Sequence, residues 1–263
     1  MSSKYNDYLK KVKSNKIKIY LYQISVFIIF LFMWQLLTDF KIIDSFIISS
    51  PKRIINTIIS LYKSNNLFIH IYTTLIETII SFIISMIISI VLATLLWYYP
   101  KIYKIIEPYL TILNSLPKVA LGPIILIWFG TNIKSIIIMA ILISSIVLTI
   151  NIYNGFNNID NNKIKLIKSI TNSRIKLYKY LILPANIKTI ISNLKICISM
   201  SLIGIIMGEF LVSKKGIGYL IMYGSQVFNL DLVMTGIIIL CIGASILYYV
   251  IYYIEKIYEK ATH

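Results

Sequence analysis

The stretch NNKIKLIKSITNSRIKLYKYLILPA, residues 161–185, decides how this chain is read, because it is a polar, basic island set between long apolar segments. At 100° per residue, Lys165, Lys168, Lys176 and Lys179 share one helical face, and Leu166, Ile170, Leu177 and Leu181 share a second. Thr171-Asn172-Ser173 interrupts the pattern with short polar side chains that suit a turn and a fresh N-cap, which predicts two short amphipathic helices in place of one long one. A soluble-facing helix held between two membrane spans is where a partner can push a membrane protein. The plainer alternative is a basic loop that only obeys the charge bias of cytoplasmic segments.

Outward from the island the chain is apolar. Hydrophobic residues make up 58% of the 263, and mean hydropathy is +0.81, values that exclude an ordinary water-soluble domain. Charge-free runs at 19–38, 78–100, 135–159 and 232–254 each reach the roughly 20 residues that cross about 30 Å of hydrocarbon. Two more candidates carry charge, one around Lys118 and one holding Lys195 and Glu209. The expectation is an all-α integral membrane protein with six transmembrane helices at about 19–38, 73–99, 105–130, 134–154, 188–212 and 231–254. A basic tail (1–18), a loop insert (155–187) and a C-terminal tail (255–263) complete the plan.

Placing both termini in the cytoplasm puts 17 Lys and Arg inside and 7 outside, with Lys118 and Lys195 within spans. Cytoplasmic segments collect basic residues, so count and orientation support each other. The net charge of +16 is thereby accounted for by topology and anionic membrane lipid, and no nucleic-acid partner is expected. Many of the twenty Tyr sit near span ends, as Tyr98, Tyr99, Tyr248 and Tyr249 do, where they suit interfacial anchors. The N-terminal basic and apolar regions lack a small-residue cleavage site, the first Ala being Ala93, so an uncleaved first span is expected.

Chemistry on the chain itself is sparse. Cys197 and Cys241 lie in predicted spans without C-x-x-C spacing or flanking His, and His70 and His263 are far apart in sequence, so neither a metal site nor a catalytic triad is indicated. None of the ten Gly is followed five places later by Gly-Lys, so the phosphate loop of an ATPase is missing. A non-catalytic subunit with no cofactor of its own is expected. Glu209 is an ionisable group within a span, a placement that costs about 2.5–3.5 kcal/mol unless it faces a cavity or a partner. It reads either as part of a path or gate or as a carboxylate bonded to a neighbouring helix. Gly216-Ile217-Gly218 after Lys214-Lys215 suits a tight turn, re-entrant or ordinary. Ser50-Pro51 suits a helix start within the long outer segment 39–71.

The island ending in Leu183-Pro184-Ala185 resembles the EAA loop of binding-protein-dependent ABC importer permeases. The stretches 115–123 (SLPKVALGP) with 127–130 (IWFG), and 208–211 (GEFL) with 215–221 (KGIGYLI), resemble the branch that handles nitrate, sulfonates, taurine and thiamine-precursor pyrimidines. The likeness runs from about Leu67 to the C-terminus. It implies the type I importer permease fold, a bacterial cytoplasmic membrane location and a coupling helix gripped by an ABC ATPase dimer that carries ATP and Mg. It further implies a second permease copy or close paralogue and an extracytoplasmic solute-binding protein. Residue by residue, the family's Glu position holds Lys165, its two Ala positions hold Leu166 and Ile167, and its Gly position holds Thr171, an altered docking surface.

The residues expected to couple to the ATPase are Lys165, Leu166, Ile170, Thr171, Lys176, Leu177, Lys179, Leu181 and Pro184, with Leu177 and Leu181 seated in the ATPase groove. Pro184 is expected to form a rigid exit by turning Leu183 away from helical geometry. Pro117, Lys118, Glu209, Gly216 and Gly218 are the expected path or gate residues. The alternative from another class is a gradient-driven secondary transporter or channel, which would show internal repeats and several intramembrane acidic groups.

Overall fold

A computed structural model describes residues 2–262, without the side chains of 2–7, 9, 10, 16, 118, 119 and 262. The side chains of Lys4, Lys10, Lys16 and Lys118, and the whole of His263, therefore lie outside the described residues. Regular structure among the described residues is helical throughout. In chain order it comprises α1 (Ser2–Asp39), α2 (Ser45–Ile48), α3 (Pro51–Lys63), α4 (Asn66–Tyr98), α5 (Pro100–Ser115) and α6 (Gly122–Phe129). It continues with α7 (Ile133–Asn157), α8 (Asn161–Ile170), α9 (Arg174–Leu177), α10 (Leu183–Val212), α11 (Ile217–Gln226) and α12 (Leu230–Thr262).

Among the described residues, five helical stretches are long and apolar enough to cross a membrane: Lys11–Asp39, Asn66–Tyr98, Ile133–Asn157, Arg174–Val212 and Leu230–Ala261. The segment expected as the third crossing is broken. α5 stops at Ser115, and its cap Leu116 is extended (φ −61°, ψ 141°), as the residue before a proline prefers. A 3₁₀ turn over Lys118–Leu121 then leads into the short α6.

Three helices, α4, α7 and α10, form the centre. Their seam is built from small residues, which lets backbones approach closely where lipid offers no hydrophobic drive for association. Ser81, Ser85, Ser89 and Ala93 recur every fourth residue on α4 and are fully buried. Ser144 on α7 donates to Ser85 Oγ at 2.7 Å, and Ser89 donates to the Ser145 carbonyl at 3.0 Å. On α10, a side chain at Gly204 would strike the backbone of Ala140, and one at Gly208 would strike Ile136. At the end nearest segment 161–185 the seam widens into an apolar cluster of Leu96, Leu148, Ile152, Phe156, Leu177 and Ile182 with their neighbours.

The outer segment between α1 and α4 carries its own helices, as Ser50-Pro51 foretold: Ser50 Oγ accepts from the Arg53 N–H and Pro51 opens α3. Arg53 pairs with Asp231 at 2.8 Å, and Ser49 donates to the same carboxylate at 2.6 Å, tying α3 to the start of α12. Most of the described apolar side chains of α1 between Ile17 and Met33 are exposed.

Candidate functional site

Two regions, one at each end of the seam, gather the residues singled out in the sequence. At the inner end the island folds as two helices with the break at 171–173. Asp160 caps α8 by accepting from the Asn162 N–H at 2.8 Å, Thr171 ends it in extended geometry, and Ser173 Oγ caps α9 by accepting from the Lys176 N–H. Lys165, Lys168, Lys176 and Lys179 are all exposed.

The apolar face divides, and this corrects the sequence reading. Leu166 and Ile170 are 63% and 75% exposed, and Ile175 beside them is 67% exposed, so these three present an outward apolar surface. Leu177 is only 6% exposed and Leu181 half-buried, both within the inner apolar cluster, so neither is available to dock a partner. They are the root of the projection and not its tip. Ile164 and Ile167 on α8 pack on the same cluster.

Pro184 also departs from expectation. Leu183 is helical (φ −66°, ψ −51°), and the chain runs as continuous helix from Arg174 to Val212. The reason is a π turn over Tyr178–Ile182, in which the Leu183 N–H donates to the carbonyl of Tyr178, five residues back. The extra residue widens the turn where the proline ring would otherwise press on the carbonyl four residues earlier.

That π turn carries Tyr178 into the seam. Its hydroxyl shares a 2.8 Å hydrogen bond with Thr94 Oγ1 on α4, and its ring lies 5.7 Å from Trp97 on α4 and 5.9 Å from Phe156 on α7. Arg174 donates to the carbonyl of Tyr98 at 2.7 Å, a cation set on the last carbonyls of α4 where the helix dipole is negative. The base of the projection is thus fastened to α4 and α7 and continuous with α10. Arg174 and Tyr178 escaped the sequence reading because their partners lie 76 and 84 residues away.

At the outer end Glu209, Gly216 and Gly218 come together. Glu209 is 1% exposed, and its carboxylate accepts from Thr74 Oγ1 at 2.6 Å and from the Gly218 N–H at 2.6 Å. Thr74 Oγ1 in turn accepts from the Ile217 N–H at 2.8 Å, and His70 Nδ1 accepts from the Gly216 N–H at 3.0 Å. Gly216 adopts φ +108°, ψ 165°, a region essentially reserved for glycine, and a Cβ there would enter the Glu209 carboxylate. The carboxylate therefore holds the start of α11, satisfying N–H groups that a helix terminus leaves open. Pro117 does not belong to this cluster; it is exposed in the break between α5 and α6.

Two further charged groups lie along the spans. Lys195 pairs with Glu255 on α12 and lies over the rings of Tyr248 and Tyr252 at 5.8 and 5.3 Å. Glu77 is 3% exposed, and both of its carboxylate oxygens are buried without a hydrogen-bond partner. Leaving such a group unmet costs about 1–3 kcal/mol, more when charged. It borders an outer cavity of about 580 Å³ shared by α4, the α6–α7 turn and the segment after α10.

The sequence matches the family model of the binding-protein-dependent transport system inner membrane component over residues 85–262, more than half of the chain, and the protein belongs to that family. It is 27% identical over 221 residues to a Haemophilus influenzae protein named "Probable ABC transporter permease protein", covering 84% of this chain and 89% of that one. It is 25% identical over 193 residues to the formylaminopyrimidine transport permease protein of Halalkalibacterium halodurans, covering 73% and 76%. Among solved structures, an inward-facing methionine ABC transporter shares the fold with a TM-score of 0.65 and 16% identity, over 76% of this chain and 98% of that one. The protein is a multi-pass membrane permease of the ABC importer class with the type I fold.

Proposed function

We propose that the projection formed by α8 and α9 is the coupling surface of this permease, and that an ABC ATPase dimer bearing ATP and Mg grips it from the cytoplasm. The observation that supports this reading is the division of its side chains. Leu166, Ile170 and Ile175 face outward among lysines, while Leu177, Tyr178 and Ile182 root the same projection in α4, α7 and α10. An amphipathic surface on a base that cannot slip relative to the spans is what a lever requires. When the ATPase subunits close, the apolar tip moves with them and the base carries that displacement into the seam.

On this reading both termini are cytoplasmic, the bent segment 105–130 supplies the third of six crossings, and a second copy or close paralogue completes the solute path. An extracytoplasmic binding protein delivers the solute to the outer face, and lipid surrounds α1. The cargo belongs to the nitrate, sulfonate, taurine and thiamine-precursor range; the likeness to a formylaminopyrimidine permease supports that range. The chain contributes no nucleotide site.

The test is coexpression with its ABC ATPase partner, followed by purification in detergent. Leu166→Asp with Ile170→Asp should abolish copurification of the ATPase while the permease still inserts and purifies at normal yield. Undiminished copurification of the double variant would refute the docking surface.

A further inference from the structure

Three of the hydroxyl and amide groups near Glu77 are committed elsewhere. Thr73 donates to the Ile69 carbonyl, Thr74 donates to Glu209, and the Asn132 side-chain amide donates to the Phe129 carbonyl. Among the described residues Glu77 is met by no hydrogen bond and no ion pair. A carboxylate kept in a span with nothing to satisfy it marks a place where a partner arrives from outside the chain.

The cavity beside it says what kind of partner fits. Its lining includes Thr73, Thr131 and Asn132, and its rim carries Lys214 and Lys215, both exposed and neither in an ion pair among the described residues. The two lysines are presented by a fixed turn: Ser213 donates to the Lys215 carbonyl, and the Lys215 N–H donates back to Ser213 Oγ at 3.1 Å. Below that turn, the Glu209 cluster pins Gly216–Gly218 against α4. The cavity therefore offers two ammonium groups at its mouth and, at its wall, Glu77, whose carboxylate oxygens are buried just behind the surface. A bare cation would be repelled at the rim, and a bare anion would leave Glu77 unmet.

We propose that this cavity is a solute subsite for a small molecule bearing both an anionic group and a protonated amine, the anion meeting Lys214 and Lys215 and the amine meeting Glu77. This deepens the reading of the chain as a solute path and rests on it. Glutamate has three rotatable bonds, so a rotamer change moves the carboxylate from the wall into the cavity when the amine enters. The pairing supplies selectivity by penalty: a solute lacking the amine leaves the carboxylate unsatisfied.

The experiment is equilibrium binding of radiolabelled ω-amino acids of two to six carbons to the full chain in lipid nanodiscs, with fatty acids of matching length as competitors. At least one ω-amino acid should bind tenfold or more tightly than its deaminated counterpart. Glu77→Gln should erase that ratio. Lys214→Gln with Lys215→Gln should weaken both members of the pair alike. Absence of binding, equal binding of the two members by the unaltered protein, or a ratio unchanged by Glu77→Gln overturns the proposal. Copurification of the ATPase with Glu77→Gln, measured in parallel, separates failure of this subsite from failure of the permease reading.

Discussion

The inner and outer ends of the α4–α7–α10 seam are held by different forces. The inner end is an apolar and aromatic block, with Leu177, Ile182, Phe156 and Trp97 packed around Tyr178. The outer end is a small set of directional bonds, from Glu209, Thr74 and His70 to three successive backbone N–H groups. Packing resists displacement in every direction and fades only when whole surfaces separate. Hydrogen bonds lose their strength over a fraction of an ångström or a modest change of angle. The packed end is therefore built to move as one body, and the hydrogen-bonded end is built to let go.

The largest expected effect tests the packed end. Leu177→Asp places a charge in the apolar cluster and should prevent accumulation of folded protein, read as loss of a monodisperse peak in detergent; Leu177→Ala should cost about 2–5 kcal/mol in thermal unfolding. Ile175→Asp, two residues away but exposed, should leave folding intact. Equal damage from the two would erase the distinction between root and tip.

Next in size is Gly216→Ala at the outer end, where strained backbone and the collision with Glu209 should cost about 1–3 kcal/mol, seen as a lower unfolding temperature. Glu209→Gln should follow at about 1–2 kcal/mol, because the amide still accepts one bond but can no longer accept charge-assisted bonds at both atoms. The smallest effect, about 0.5–1.5 kcal/mol, belongs to Tyr178→Phe, which loses one hydrogen bond and keeps its ring contacts. A larger loss for Tyr178→Phe than for Glu209→Gln would reverse the assignment of forces to the two ends.

Local chemistry was legible in the sequence and spatial direction was not. The break at 171–173 and the start of α3 at Ser50-Pro51 follow from short polar side chains and a fixed proline φ, properties that act within a few residues. The apolar face containing Leu166 and Leu177 was visible as periodicity, but periodicity does not say which side of a helix meets its own protein. In this island both sides are apolar, one for the seam and one outward. Glu209 stood out as a charge in a span, yet its partner Thr74 lies 135 residues away and carries no mark in the sequence. Pro184 misled because its usual effect assumes an α turn before it, and the π turn removes that premise.

The single residue gained at Tyr178–Ile182 has a lasting consequence for geometry. One residue is about 100° of rotation, so the azimuth of α9 about the common axis is set independently of the azimuth of α10. Shortening this turn by one residue would rotate α9 through more than a quarter circle relative to α10 and pull Arg174 away from the Tyr98 carbonyl and Leu177 out of its apolar cluster.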